Sequence, residues 1–139
     1  MIIAVVDGMG GGIGSEIVSR IRRELPPEVV ILALGTNAIA TNKMVKAGAN
    51  RGATGENAII FSAGQADVVV GPIGVVIPNS MMGEITPAIA NAIVNAPANK
   101  FLLPIEQPHL VIVGVEPKPL REQMEFAIEM IREMMENPS

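Results

Sequence analysis

The first quarter of the chain contains the pattern that most constrains its fold. A continuous apolar run at residues 2–6 ends at Asp7, and a glycine-dense segment, here called the glycine loop, occupies residues 8–14. Apolar residues then recur at helical spacing as far as Leu25, and a second apolar run follows at residues 29–34. A buried strand, a tight turn, an amphipathic helix and another buried strand are typical of the β-α-β unit of a parallel sheet.

The rest of the chain continues the alternation of strands and helices. We expect further strands at residues 67–70 and 100–104, and helices at residues 37–47, 55–63 and from Pro87 onward, with Thr54 and Thr86 as helix caps. Residues 73–83 form an apolar segment whose pattern assigns no element. Residues 110–115 are apolar and follow the preceding strand too closely for a parallel crossover. They predict an antiparallel hairpin at the sheet edge.

These elements predict one α/β domain over residues 1–139. Its fold class is Rossmann-like and doubly wound, with a mostly parallel five-stranded sheet, an antiparallel edge hairpin and a long C-terminal helix. A chain of 139 residues has the length of a single domain. A sheet of this kind binds ligands at the carboxyl ends of its strands.

The C-terminal helix, predicted over residues 119–136, has an apolar stripe wider than one sheet should need. The stripe consists of Leu120, Met124, Ala127, Ile128, Ile131, Met134 and Met135, and Phe126 and Met130 extend it. The extra residues are either ordinary core filling by flexible side chains or the face of a homodimer helix. Both interpretations remain open at this point.

Composition excludes several classes of protein. The net charge of −4, with scattered basic residues and no Trp or Tyr, argues against nucleic-acid binding. No Cys is present, and no apolar run is long enough to span a membrane. A cytoplasmic protein is therefore expected. Hydrophobic residues make up 49% of the chain and charged residues 17%, so we expect a homo-oligomer, a dimer or larger.

The glycine loop is the first candidate ligand site. Free N–H groups at a helix start, with the positive end of the helix dipole, favour a phosphate, and glycines let it approach bare backbone. The predicted cofactor-binding residues of the loop are Gly8, Met9, Gly10, Gly11, Gly12, Ile13 and Gly14. The alternative is a tight turn packed against neighbouring backbone. Five glycines in seven positions exceed what such a turn requires, so we favour a ligand site.

Two other strand ends contribute candidate residues. Thr36 and Asn37 follow the second strand, where they could bind a ribose or a 2′-phosphate, or cap the next helix. No carboxylate or Arg is adjacent, so NAD and NADP are not distinguished; Lys43 and Arg51 are remote sources of positive charge. After the third strand, Gly71, Pro72 and Ile73 could meet a ligand at the same sheet edge.

The remaining polar residues carry weaker hypotheses. Asp7 either accepts loop N–H groups, which we favour, or holds Mg²⁺ beside a phosphate. Glu56 either complements a helix dipole or acts catalytically. His109, the single histidine, is expected to be a solvated turn residue. No metal site is predicted.

The glycine loop resembles the dinucleotide loop of short-chain dehydrogenases. The matching pattern is G-x-x-x-G-x-G at Gly8, Gly12 and Gly14, with Ile13 between the last two. This resemblance implies NAD(P) as cofactor. Because the catalytic Tyr of that family has no counterpart in a chain without Tyr, hydride transfer by its mechanism is excluded.

Several phrases resemble a small bacterial family of unknown function. They are D-G-x-G-G-G-I-G from Asp7, G-T-N-A from Gly35, K-A-G-A from Lys46, G-A-T-G-E-N-A-I from Gly52 and G-P-I-G from Gly71. The resemblance covers nearly the whole chain. It implies a small stand-alone domain but no particular activity.

Three functional hypotheses follow. We favour binding of a nucleotide cofactor, NAD(P) first, as a sensor, carrier or accessory subunit. The first alternative is a small enzyme acting on a phosphorylated or nucleotide substrate, with Lys43, Glu56 or Asn79 contributing. The second alternative is a structural or interaction protein whose glycine turn is empty.

Overall fold

The computed structural model describes residues 1–138, which form a five-stranded parallel sheet covered by helices on both faces. The strands are β1 (Ile2–Asp7), β2 (Val30–Gly35), β3 (Arg51–Thr54), β4 (Val68–Pro72) and β5 (Asn99–Leu103), in the order β3-β2-β1-β4-β5. The helices are α1 (Gly12–Glu24), α2 (Ala38–Lys46), α3 (Glu56–Ala63), α4 (Pro87–Asn95) and α5 (Leu120–Glu136). A short 3-10 turn, Ile73–Val76, follows β4. The predicted α/β fold is confirmed.

Alternation along the central strands creates two hydrophobic cores. In β1, Ile3 and Val5 face the core formed with α1, α2 and α5, whereas Ala4 and Val6 face the core formed with α3 and α4. Both sets are fully buried. The same alternation places Asp7, the last residue of β1, on the α1 side of the sheet.

The helix boundaries follow the expected local signals in α4 and α2. Thr86 caps α4 by accepting a hydrogen bond from the amide of Ile89, and Pro87 is its first residue. Asn37 caps α2 in the same way, accepting from the amide of Ala40 at 2.9 Å. Thr54 was expected to cap α3, and this prediction is wrong: it lies in β3 and donates to the Thr41 hydroxyl.

The sequence pattern missed β3, an edge strand. Its residues, Arg51–Thr54, form no apolar run and are mostly exposed. Gly52 allows α2 to lie close over the strand, because a Cβ there would be 2.7 Å from side-chain carbons of Thr41 and Val45. Pairing with β2 and packing under α2 therefore make this segment a strand.

The predicted antiparallel hairpin is wrong, and every strand pair of the sheet is parallel. Residues 110–115 lie in a segment between β5 and α5, residues 104–119, here called the arm. The arm makes one isolated bridge, between Gln107 and Leu110. His109 and Gly114 have positive φ angles of 60° and 86°, which interrupt an extended conformation, and Pro104 ends β5.

The C-terminal helix divides its apolar residues between core and surface. Met124, Ala127, Ile128 and Ile131 are buried, and Leu120, Met134 and Met135 pack against them. Phe126 and Met130 are each 54% exposed, so core filling does not explain them. No helix formed by residues 1–138 has both the length and the apolar character needed to cross a lipid bilayer.

Candidate functional site

The chain passes from β1 into the glycine loop at Asp7, whose carboxylate is buried. Asp7 is 4% exposed, and its two oxygens accept hydrogen bonds from the amides of Gly8 at 2.8 Å and Gly14 at 2.7 Å. Burial raises the pKa of Asp7, the two amides act against this, and the charge of Glu84 raises it further. The structure thus gives Asp7 the loop-holding role that the sequence favoured.

Three of the five loop glycines are explained by packing. A Cβ on Gly8 would lie 2.6 Å from the Thr36 hydroxyl, one on Gly11 would lie 2.7 Å from Cα of Ala40, and one on Gly14 would lie 2.6 Å from the sulfur of Met44. Gly11 also has a φ of 74°. These glycines bring β1, β2 and α2 into contact.

Gly10 and Gly12 differ from the other three. Both are exposed, and a Cβ on either would meet no atom of residues 1–138 within 4 Å, apart from chain neighbours and, for Gly12, the backbone of its own helix. Neither has a positive φ that would require glycine. Internal packing therefore gives no reason for glycine at these two positions.

The start of α1 retains two available amides. Of the first four N–H groups of the helix, that of Gly14 is held by Asp7 and that of Ser15 by the carbonyl of Gly11. Within residues 1–138, no acceptor contacts the amides of Gly12 and Ile13. Together with the helix dipole, these amides can bind an anionic group.

A second carboxylate, Glu84, joins the glycine loop to the end of β2. One of its oxygens, Oε1, accepts hydrogen bonds from the amide of Met9 at 2.9 Å, the hydroxyl of Thr36 at 2.5 Å and the side-chain amide of Asn37 at 3.0 Å. Asn37 also donates to the carbonyl of Met9. The Thr36 hydroxyl, with Met9 and Asn37, lowers the pKa of Glu84 against a smaller opposing effect of burial.

An open cleft of about 590 Å³ lies beside this junction. Its lining residues are Met9, Gly10, Asn37, Ala38, Ile39 and Glu84. The cleft is at the carboxyl edge of the sheet, where ligands of α/β proteins bind.

The sequence missed Glu84 as a candidate. It lies in the segment between the 3-10 turn and α4, and its partners are 47 to 75 residues away along the chain. The segment has no periodic pattern, and Asn79, Met81, Met82 and Gly83 all have positive φ. One feature of the sequence could have pointed to it: no acid follows β2, where a dinucleotide site usually has one, so an acid from another segment could take that place.

The structure places the other predicted site residues as follows. Gly71 and Pro72 end β4 and are buried, and a Cβ on Gly71 would lie 2.5 Å from the carbonyl oxygen of Val6. Ile73 begins the 3-10 turn and is half-buried. These three share the sheet edge with the glycine loop but do not line the cleft.

The residues proposed for the enzyme hypothesis are not brought together at the cleft. Glu56 accepts a hydrogen bond from the cap residue Thr86 at 2.5 Å, which gives it a structural contact. Lys43, Asn79 and Arg51 do not line the cleft. His109 is exposed on the arm, as expected. Within residues 1–138, no three His, Asp or Glu side chains are grouped so that they could hold a metal ion.

Comparison with known proteins agrees with the fold and leaves the activity undefined. No curated protein matches the chain significantly. A crystal structure of a dodecameric FMN-dependent UbiX-like decarboxylase from Escherichia coli O157:H7 is similar, with a TM-score of 0.51 and 13% identity over 97% of this chain and 94% of that one. At this identity the likeness concerns the fold alone.

The family assignment rests on nearly the full chain. The family model described as "Domain of unknown function (DUF3842)" matches residues 2–136. This agrees with the resemblance to an uncharacterised family seen in the sequence motifs. The chain therefore belongs to the DUF3842 family.

Proposed function

We propose that the protein binds a nucleotide cofactor at the carboxyl edge of its sheet, as a sensor, carrier or accessory subunit. The observation that carries this proposal is the exposure of Gly10 and Gly12, with open space above each and no packing reason for glycine. The available amides of Gly12 and Ile13 then bind a phosphate of the cofactor. Asn37 and Glu84, which line the cleft, receive the sugar, and Thr36 holds Glu84 in place by donating a hydrogen bond to it.

Two cofactors are the first to test. NAD(P) is the first choice, because the loop spacing resembles that of dinucleotide-binding domains and the strand order matches the first five strands of the classical dinucleotide-binding sheet. FMN is the second, because a protein of similar fold depends on it. Both carry a phosphate, the group that the amides of Gly12 and Ile13 are proposed to bind.

Native mass spectrometry of gently purified protein tests the proposal directly. After denaturation, the mass of any released molecule names the ligand, and its ratio to protein gives the number of sites. Added ligand provides a second readout, since binding at 100 to 1,000 times Kd raises the free energy of unfolding by about 3–4 kcal/mol. Protein that carries nothing, and whose Tm is unmoved by millimolar NAD(P), FMN, ATP or sugar phosphates, would contradict the proposal.

A substitution in the loop locates the site. Gly12→Val places a branched side chain in the open space over the helix start, so we expect nucleotide binding to be abolished. Its effect on folding should be small, within about 1 kcal/mol, because the Cβ of the new side chain meets no neighbouring segment of residues 1–138. Gly64→Val is the matched control, at an exposed position with an ordinary φ of −69° next to α3. Binding that survives Gly12→Val places the site elsewhere.

We also propose that the protein partner is a second copy of this chain. A groove of about 600 Å³ runs between β5, the arm and α5, and Phe126 and Met130 line it. The arm beside it exposes 83% of Val111 and 92% of Val113. β5 is an edge strand, and no strand within residues 1–138 pairs with its outer side. These features support a homo-oligomer in which a second copy of the chain covers this face.

A further inference from the structure

The cleft beside the glycine loop has a negative charge at the position where a sugar hydroxyl or a sugar phosphate would be recognised. Six residues line it, and among them Glu84 is the single ionisable one. Within the part of the chain that the structure describes, no Lys or Arg lines this cleft. The cleft therefore offers a hydrogen-bond acceptor to hydroxyl groups and no positive charge to a phosphate.

The carboxylate of Glu84 is held in place through one oxygen only. Its Oε1 accepts all three hydrogen bonds, from Met9, Thr36 and Asn37. Among residues 1–138, no donor contacts Oε2. Because each carboxylate oxygen has two lone pairs, Oε2 can accept two further hydrogen bonds. The two neighbouring hydroxyls of a ribose can donate these two hydrogen bonds.

Glu84 can reach Met9, Thr36 and Asn37 only because residue 8 is glycine. A Cβ there would lie 2.6 Å from the Thr36 hydroxyl and 3.0 Å from Glu84 Oε1. Glycine thus lets a carboxylate from the segment after β4 reach the end of β2. In dinucleotide sites an acid at the end of the second strand binds the ribose. Here β2 ends without an acid, and a distant segment supplies one.

We propose that Glu84 makes this site selective for a cofactor whose adenosine ribose has free 2′ and 3′ hydroxyls, and makes it reject a 2′-phosphate. The inference rests on the proposed nucleotide function and narrows it to NAD rather than NADP. Glu84 Oε2 accepts the ribose hydroxyls, while its charge repels a phosphate in the same place. The lowered pKa of Glu84 keeps the side chain ionised at neutral pH.

Isothermal titration of NAD⁺ and NADP⁺ into the protein tests this selectivity. The wild-type protein should bind NAD⁺ at least about tenfold more tightly than NADP⁺, the lower end of what a hydrogen bond to a charged group contributes. Glu84→Gln keeps the size and the Oε1 acceptor but removes the charge. It should weaken NAD⁺ binding by about tenfold or more and remove most of the preference. Circular dichroism and Tm establish that the variant is folded.

Glu28→Gln is the matched control, because it removes the same charge from an exposed loop before β2, at the opposite sheet edge. It should leave both affinities unchanged. Equal binding of NAD⁺ and NADP⁺ to the wild-type protein, or a preference that persists in Glu84→Gln, overturns the inference and leaves nucleotide binding intact. Binding of FMN without either dinucleotide also overturns it. Binding of no nucleotide at all contradicts the proposed function itself.

Discussion

Two carboxylates near the glycine loop respond to their surroundings in opposite ways. Hydrogen bonds from Thr36, Met9 and Asn37 lower the pKa of Glu84, because donors favour its charged form. Burial raises the pKa of Asp7, despite the amides of Gly14 and Gly8. The two residues therefore contribute to stability in different pH ranges.

The sign of each contribution follows from linkage between protonation and folding. Glu84 has a lower pKa in the folded chain than its ordinary value of 4.5, so its contribution is complete above that pH and is lost as the pH falls through the folded-state pKa. For Asp7, whose pKa is raised from 3.8, the contribution is complete below that pH and is lost as the pH rises through the folded-state pKa.

We predict that the stability advantage of the wild-type protein over Glu84→Gln decreases as the pH is lowered from about 6 to about 3. The decrease should be about 1 kcal/mol or less, because Glu84 is partly exposed to solvent. Since Asp7 is present in both proteins, the comparison largely cancels its contribution. Urea unfolding at a series of pH values measures the difference, and a difference independent of pH would show that the hydrogen bonds to Glu84 do not stabilise the fold.

At the residue scale, the sequence indicated two local contacts that the structure contains, the second of them as one of two alternatives. It assigned a third local contact, the cap at Thr54, wrongly. The contacts of Asp7 with the loop amides span at most seven positions, and the cap formed by Asn37 spans three. Glu84 could not be predicted in this way, because its place depends on how the segment before α4 crosses the sheet edge. No spacing rule relates residue 84 to residues 9 and 36.

At the scale of elements, Gly11 is the loop glycine that faces the backbone of α2. Gly11 combines a left-handed backbone with contact to the Ala40 backbone, whereas Gly10 has neither constraint. We predict that Gly11→Ala lowers the free energy of unfolding by at least about 1–2 kcal/mol, the cost of a left-handed alanine alone. Gly10→Ala should change it little. Urea unfolding compares the two, and equal stabilities would show that α2 shifts at no cost.

The elements that the sequence predicted are those whose burial produces either a continuous apolar run, as in the inner strands, or a helical repeat of apolar residues. The strands β1, β2, β4 and β5 and the helix α5 have such patterns and were predicted. β3 was missed, because an exposed edge strand containing Gly52 is stabilised by its neighbours rather than by its own residues. The arm has the opposite character: residues 110–115 have strand-like composition, but no strand within the described residues 1–138 pairs with them.

At the scale of the whole molecule, the exposed apolar residues are unevenly distributed. Phe126 and Met130, on the outer side of α5, line one groove together with arm residues 114–116, and Val111 and Val113 are exposed elsewhere on the arm. A stable interface buries about 800 Å² on each partner. A charge placed at the centre of such an interface would be buried without a partner, at a cost that dissociates the oligomer.

We therefore predict that Phe126→Glu lowers the mass of the particle measured by size-exclusion chromatography with light scattering. Phe61→Glu is the control, since Phe61 is 67% exposed on α3, on the opposite face of the sheet. It should leave the mass unchanged. If Phe61→Glu dissociates the oligomer and Phe126→Glu does not, the interface lies over α3 instead of the groove. A wild-type protein that is monomeric at high concentration would contradict self-association, and the exposed arm would then require a different partner.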